Sequence, residues 1–82
     1  MDKTIIFNFK KELAVENQNS VLDSISKLDH VSLAGHLRKS NKQEELRTCF
    51  LRTDSENAQN IFLYLKANTL IENTSITIEA TA

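Results

Sequence analysis

Proline is absent from this chain of 82 residues, and glycine occurs only once. A phosphate-binding loop, a dinucleotide-binding turn and a nucleophile elbow each need at least two glycines close together, because the backbone must approach a ligand or turn sharply there. The lone Gly35 therefore excludes all three kinds of site. The chain also has no tryptophan and one tyrosine, which leaves little aromatic surface for stacking against bases.

Cysteine is equally scarce. The single Cys49 cannot form a disulfide within the chain, so a disulfide scaffold is excluded and a reducing compartment is expected. The N-terminal apolar stretch is interrupted at Asn8 and ends at Lys10, too short for a signal peptide. No window approaches the roughly 18 apolar residues of a membrane span. These features predict a cytoplasmic protein without membrane contact.

The length and composition indicate one folded domain, 1–82, since a second core would need more residues. Hydrophobic residues make up 40% of the chain and charged residues 26%, which is typical of a globular protein and not of a disordered one. The net charge is −1, with a basic middle segment, 38–53, followed by an acidic segment, 54–82.

Periodicity predicts six elements in the order β-α-β-β-α-β. Alternating apolar and polar residues favour strands over 4–10, 31–39, 44–53 and 74–80, and helical spacing favours amphipathic helices over 20–28 and 55–68. This order predicts a ferredoxin-like α+β sandwich, with a four-stranded antiparallel sheet in the order 4-1-3-2 and both helices on one face. The predicted core comprises Ile5, Phe7, Phe9, Val21, Leu22, Ile25, Leu28, Leu33, Leu37, Leu46, Phe50, Ile61, Phe62, Leu65, Ile76 and Ile78.

The hairpin between the second and third strands has a predicted register. A four-residue loop at 40–43 would place Leu37 opposite Leu46 and Leu33 opposite Phe50, all on the apolar face. His36 would then face Arg47 on the open face of the sheet, away from the helices. We therefore expect the polar chemistry of the chain to collect on that open face.

The catalytic and metal-binding candidates are few. His30, His36 and Cys49 are too scattered for a tetrahedral zinc site, so neither a metal nor a cofactor is predicted. In the predicted register Cys49 and His36 are diagonal neighbours, and a thiolate–imidazole pair is a nucleophilic site when a third group orients the imidazole. No acidic residue is placed to do so. A Cys49-dependent enzyme is therefore kept only as an alternative.

Nucleic-acid binding is a second alternative for this topology. RNA-recognition modules expose aromatic residues on their central strands, whereas Phe7, Phe9 and Phe50 fall on the predicted helix-facing side. The glycine-containing motif of those modules is also missing from 45–51. What remains is electrostatic binding of nucleic acid by the basic hairpin, which we regard as the less favoured reading.

A basic cluster on the hairpin is the leading candidate for a binding surface. Arginine grips carboxylates and phosphates through a planar fork, and an open sheet face that carries two of them suits an anionic partner. The predicted anion- or partner-binding face consists of Arg38, His36, Arg47, Lys39 and Lys42. The favoured interpretation is a non-enzymatic binding or regulatory module that acts through this open face on a protein partner, through homodimerisation, or through both.

The C-terminal strand supplies the predicted dimer contact. Segment 75–82 is rich in β-forming residues, carries one charge and lies at a sheet edge, where unpaired backbone groups are available for pairing. A second copy paired there about a two-fold axis would close the edge, with the monomer as the alternative.

The topology is similar to that of metal chaperones, ACT-type regulatory domains and protease propeptides, but the Cys-x-x-Cys and glycine-rich motifs of the first two are missing.

Overall fold

A computed structural model describes residues 2–80, in which four strands alternate with helices along the chain. The strands are β1 (Asp2–Asn8), β2 (Val31–His36), β3 (Thr48–Asp54) and β4 (Thr77–Ala80); the helices are α1 (Val15–Ser26), α2 (Gln43–Leu46) and α3 (Ala58–Ala67), and a 3-10 turn (Asn73–Ser75) precedes β4. The sheet is antiparallel in the order β2-β3-β1-β4, which is the predicted order read from the other edge. The predicted α+β sandwich is confirmed.

The core lies between one face of the sheet and the two longer helices. Along β1 the side chains alternate as predicted, and Ile5 and Phe7 are fully buried. The ring of Phe7 meets that of Phe9 edge to face, with centroids 5.6 Å apart, an arrangement that adds to the hydrophobic gain. From the helices, the apolar stripes contribute the buried side chains Leu22, Ile25, Ile61 and Leu65.

Strand β3 presents the opposite side chains to the core from those predicted. Cys49, Leu51 and Thr53 are buried, whereas Phe50 is half-buried and Arg52 is exposed. The reason is local: the segment predicted to begin this strand forms α2, so β3 begins only at Thr48. The prediction that Phe50 lies in the core while Cys49 faces outward is wrong.

The pairing of β2 with β3 differs from the predicted register for the same reason. His36 is opposite Cys49 and Gly35 is opposite Phe50, so the predicted pairing of Leu33 with Phe50 is wrong. A β-bulge also interrupts the ladder between Val31 and Leu33, and a bulge changes which side chains face a given side of the sheet. Leu33 and Leu37, both predicted to be buried, are therefore 48% and 44% exposed.

The C-terminal part corrects two further expectations. Ile71, absent from the predicted core, is buried, and its backbone bridges to Phe9. Ile76 is buried as predicted, but Ile78 is 37% exposed because β4 lies at the edge of the sheet. The predicted edge segment 75–82 extends past the described residues at positions 81 and 82.

Within the described range, no helix combines the length and the apolar character that a membrane crossing requires.

Candidate functional site

The predicted basic face does not form a single surface. Arg38, Lys39 and Lys42 are exposed in the connection between β2 and β3. Arg47, by contrast, donates from Nε to the Phe9 carbonyl at 2.9 Å and from Nη2 to Glu72 Oε2 at 2.8 Å. Because its side chain is only 16% exposed, this ion pair joins the end of β1 to the segment before β4 instead of facing a partner.

His36 lies on the helix-covered side of the sheet, in contact with two helices. Its Nδ1 donates to the Leu46 carbonyl of α2 at 2.8 Å, and its Nε2 lies 2.8 Å from Asn19 Oδ1 of α1. The predicted exposure of His36 and Arg47 on the open face is therefore wrong. A role for Arg38, Lys39 and Lys42 in binding an anion or a partner stays a prediction.

Cys49 and His36 are closer than the predicted diagonal placement, since they are direct cross-strand partners. The distance from Cys49 Sγ to His36 Nδ1 is 3.5 Å. Cys49 is fully buried, however, and this burial raises the pKa of its thiol to about 12. The reactive form of cysteine is the thiolate, so this pair lacks a nucleophile at neutral pH. The contacts of Cys49 and His36 are those of a structural cluster under α1.

A cleft lies at the opposite end of β2. It has a volume of about 230 Å³ and is lined by Asp2, His30, Val31, Ser32 and Asp54. Asp2 and Asp54 are cross-strand partners at the start of β1 and the end of β3, and His30 immediately precedes β2. The cleft therefore forms where three elements of the sheet begin or end.

The backbone around His30 is unusual. His30 has a φ of 70°, in the left-handed region that favours glycine, and the turn around it is closed by the Val31 N–H donating to the Leu28 carbonyl at 3.2 Å. Ser32 follows at the β-bulge, a feature common beside active sites because it redirects side chains. Backbone strain of this kind is concentrated at functional sites, which makes His30 a candidate.

Asp54 supplies a fixed carboxylate to the same cleft. Asn57 donates from Nδ2 to both of its oxygens, at 2.9 and 2.8 Å. These hydrogen bonds, assisted by the nearby charge of His30, hold the pKa of the Asp54 carboxyl below its ordinary value of 3.8. The cleft is thus lined by an ionised carboxylate and an exposed imidazole, two groups that general acid–base chemistry combines.

Sequence reasoning missed the cleft. The sequence pattern presents His30 only among the metal-ligand candidates, and it does not single out Asp54. Two signals point to the site: a histidine in a tight turn of a chain with a single glycine, and an asparagine three residues after the aspartate that ends a strand. In the described part of the chain, no three His, Cys, Asp or Glu side chains come together to bind a metal.

Comparison with known proteins gives a structural likeness only. The sequence matches no protein-family model and no curated protein. The fold is similar to that of a 5-chloro-2-hydroxyhydroquinone dehydrochlorinase (TftG) from Burkholderia phenoliruptrix AC1100, whose structure is a complex with 2,5-dihydroxybenzoquinone. The TM-score is 0.62 at 12% sequence identity, and the match covers 100% of this chain and 94% of the other. At this identity the likeness shows the fold.

This likeness corrects the functional interpretation of the sequence. The sequence pattern favours a non-enzymatic binding or regulatory module that acts through the open sheet face, through homodimerisation, or through both. That interpretation is contradicted, because a protein with the same fold over the whole length of this chain is an enzyme.

Proposed function

We propose that this protein is an enzyme that transfers a proton on a small hydroxylated ring, with His30 as general base and general acid. The observation that carries the proposal is the convergence of His30 and Asp54 on one open cleft, with Asp54 fixed at both oxygens by Asn57. An imidazole suits this role because its ordinary pKa lies near neutral pH.

The chemistry follows from the two groups. Neutral His30 accepts a proton from one ring hydroxyl, and the imidazolium gives it to the ring carbon that carries the leaving group, which makes that carbon tetrahedral. Loss of a second hydroxyl proton to His30 then drives electrons through the conjugated ring and expels the leaving group with its bonding pair, so that a quinone and the protonated leaving group remain. The Asp54 carboxylate lines the same cleft, and its negative charge favours the imidazolium while it exists.

The lining of the cleft suits a small ring. The cleft is open to solvent and has a volume of about 230 Å³. Val31 offers an apolar wall and Ser32 a hydroxyl that can donate or accept a hydrogen bond. The enzyme with the similar fold holds a single ring with two hydroxyl groups, 2,5-dihydroxybenzoquinone, which supports this substrate class.

The proposal is tested by binding and by turnover. We expect 2,5-dihydroxybenzoquinone to shift the backbone amide NMR signals of Ser32 and Asp54, and the chain to release chloride from 5-chloro-2-hydroxyhydroquinone. His30→Ala should lower the rate by about 10²-fold or more, the usual contribution of a general base. Asp54→Asn should lower it less. Asp29→Asn, which removes a neighbouring exposed carboxylate outside the cleft, is the matched control and should change nothing.

Two results would overturn the proposal. One is a ligand response confined to the amides around His36, which would place the site at the other end of β2. The other is chloride release that His30→Ala leaves unchanged. An inactive wild-type chain that binds the quinone at Ser32 and Asp54 would also overturn the proposed reaction, while leaving the cleft as a binding site.

Association and location stay predictions from the sequence. We infer that two copies pair through the edge strand β4, whose residues Thr77 and Glu79 are exposed, and that the protein is cytoplasmic. Light scattering after size exclusion tests the association, since a mass near the 9.3 kDa of one chain would exclude a dimer. Thr77→Lys should weaken a dimer without changing the melting temperature, because that side chain points to solvent.

A further inference from the structure

Asn57 immediately precedes α3, at the N-cap position, but its side chain does not cap the helix. Asparagine at this position normally accepts a hydrogen bond from a backbone N–H of the first helical turn. Here Asn57 has a φ of −104° and a ψ of −2°, and its side chain makes no capping hydrogen bond. The amide points back to Asp54 and donates to both carboxylate oxygens.

The backbone of Asn57 is held firmly while its side chain reaches the cleft. Its N–H donates to the Asp54 carbonyl at 3.1 Å, and its own carbonyl accepts from the Ile61 N–H at 3.0 Å. Ile61 belongs to the core, so the position of the amide is set by the packing of α3 against the sheet. The packing of α3 against the core therefore fixes the position of the amide that binds the Asp54 carboxylate.

Other contacts to the Asp54 carboxylate are weaker. Thr53 Oγ1 donates to Asp54 Oδ1 at 3.4 Å, a long hydrogen bond compared with the two from Asn57. Two donations to both oxygens define the plane of the carboxylate, whereas one long bond does not. Without Asn57 the carboxylate keeps only the long bond from Thr53 and a backbone hydrogen bond of Asp54, and its orientation is less firmly fixed.

We infer that Asn57 is a positioning residue, whose amide fixes the Asp54 carboxylate in the orientation and charge state that support proton transfer at His30. The inference rests on the proposed function and deepens it. Asparagine is among the best N-cap residues, and here its amide binds the carboxylate instead of the helix backbone. Asn57 contacts no reacting atom in this arrangement, so it acts through Asp54.

The experiment follows the titration of Asp54 by the carbon-13 signal of its carboxyl group, in the full chain and without substrate. We expect Asn57→Ala to raise the pKa of Asp54 towards its ordinary value, and to do so by more than His30→Ala, because the hydrogen bonds from Asn57 are the larger cause of the lowered pKa. Asn60→Ala, the same substitution on the exposed side of α3, is the control and should leave the titration unchanged.

A second variant separates positioning from helix stability. Glycine begins helices almost as well as asparagine but donates no side-chain hydrogen bond, so Asn57→Gly should retain α3. It should still raise the pKa of Asp54, and in turnover Asn57→Ala and Asn57→Gly should both lower kcat several-fold with little change in KM.

The outcomes distinguish this inference from the proposed function. If turnover depends on His30 and Asp54 but Asn57→Gly alters neither the Asp54 titration nor kcat, then Asn57 is not a positioning residue. If Asn57→Gly raises the pKa of Asp54 while turnover is indifferent to His30, then the proposed function fails although the hydrogen bonds act as described. A fall in melting temperature with an unchanged titration would assign Asn57 to structure alone.

Discussion

Strand β2 has a histidine at each end, and the two imidazoles have very different surroundings. His36, its last residue, has an oxygen within 2.8 Å of each ring nitrogen, one from α1 and one from α2. His30, immediately before the strand, is exposed in a cleft near Asp54. A ring that is engaged on both nitrogens joins elements together, whereas a ring open to solvent is able to exchange a proton with a ligand.

The difference arises from how α1 lies against β2. The helix covers the end of the strand at His36, where Asn19 reaches across to the ring. The chain leaves the helix at the other end, and a turn through the left-handed region carries it back into the strand at His30. The two histidines therefore have different surroundings because the backbone follows a different path at each end of the strand. The residue type alone does not decide which of them is covered.

The largest expected effect concerns Cys49, which contacts His36 at the closed end of β2, the end that α1 covers. With its pKa raised from 9.0 to about 12, its thiolate is about 1000-fold less populated near neutral pH than that of a free cysteine. Reaction with a disulfide reagent should therefore be at least 1000-fold slower than for the urea-unfolded chain. Fast labelling of the native chain would contradict the closed environment that distinguishes this end of β2.

The same group makes the stability of the fold depend on pH. In the unfolded chain the thiol loses its proton near pH 9, and in the folded chain only near pH 12, so between these values the unfolded chain is favoured as the pH rises. The free energy of unfolding should be unaffected by Cys49 below pH 9, and should fall above it by up to about 1.4 kcal/mol per pH unit. Cys49→Ala lacks this contribution and is the control.

The second effect tests which face of β3 lies under the helices. Leu51→Ala should cost about 2–5 kcal/mol, because Leu51 is fully buried and the change leaves a cavity. Phe50→Ala should cost less, since Phe50 is half-buried on the open face. Urea unfolding of both variants measures the order. A larger loss for Phe50→Ala would restore the strand orientation that the sequence pattern predicts.

The order of the strands could be predicted from the sequence, but the orientation of β3 could not. In β1 only one phase of the alternation is consistently apolar, and Ile5, Phe7 and Phe9 specify the buried face. In β3 both phases carry apolar residues, with Cys49 and Leu51 on one side and Phe50 on the other. The short helix α2 then decides where the strand begins, and its four residues also fit a strand pattern.

A third effect is expected when His36, the histidine covered by α1, is replaced. His36→Ala removes the hydrogen bond from the ring to the half-buried Leu46 carbonyl, which keeps only the long one from Cys49 Sγ at 3.6 Å, and it removes the ring's contact with Asn19 of α1. This should cost about 1–3 kcal/mol. In a domain of this size each kcal/mol lowers the melting temperature by roughly 4–8 °C. His30→Ala should stay within about 0.5 kcal/mol of wild type, as exposed substitutions usually do. Equal losses for the two variants would remove the contrast between them.

The catalytic candidates illustrate a second limit of sequence reasoning. His30 and Asp54 are 24 positions apart, and they line one cleft because β2 pairs with β3, with Val31 opposite Thr53. The φ of 70° at His30 is likewise a property of the folded turn. By contrast, the neighbourhood of Cys49 and His36 was recognised from the sequence, since a hairpin brings them close in either register.

The smallest expected effect concerns His30, at the end of β2 that opens into the cleft. It separates the effect of a substitution on stability from its effect on activity. A non-glycine residue in the left-handed region costs about 1–2 kcal/mol, while glycine gives back about 0.4–1 kcal/mol through the greater freedom of the unfolded chain. His30→Gly should therefore stabilise the fold by up to about 1 kcal/mol, whereas His30→Ala keeps the strained φ and gains nothing. Thermal melting of the two variants measures this difference, and both should lose turnover. A His30→Gly chain that melts below His30→Ala would show that the turn at His30 is relaxed, and that its backbone gives no reason to single out this histidine for function.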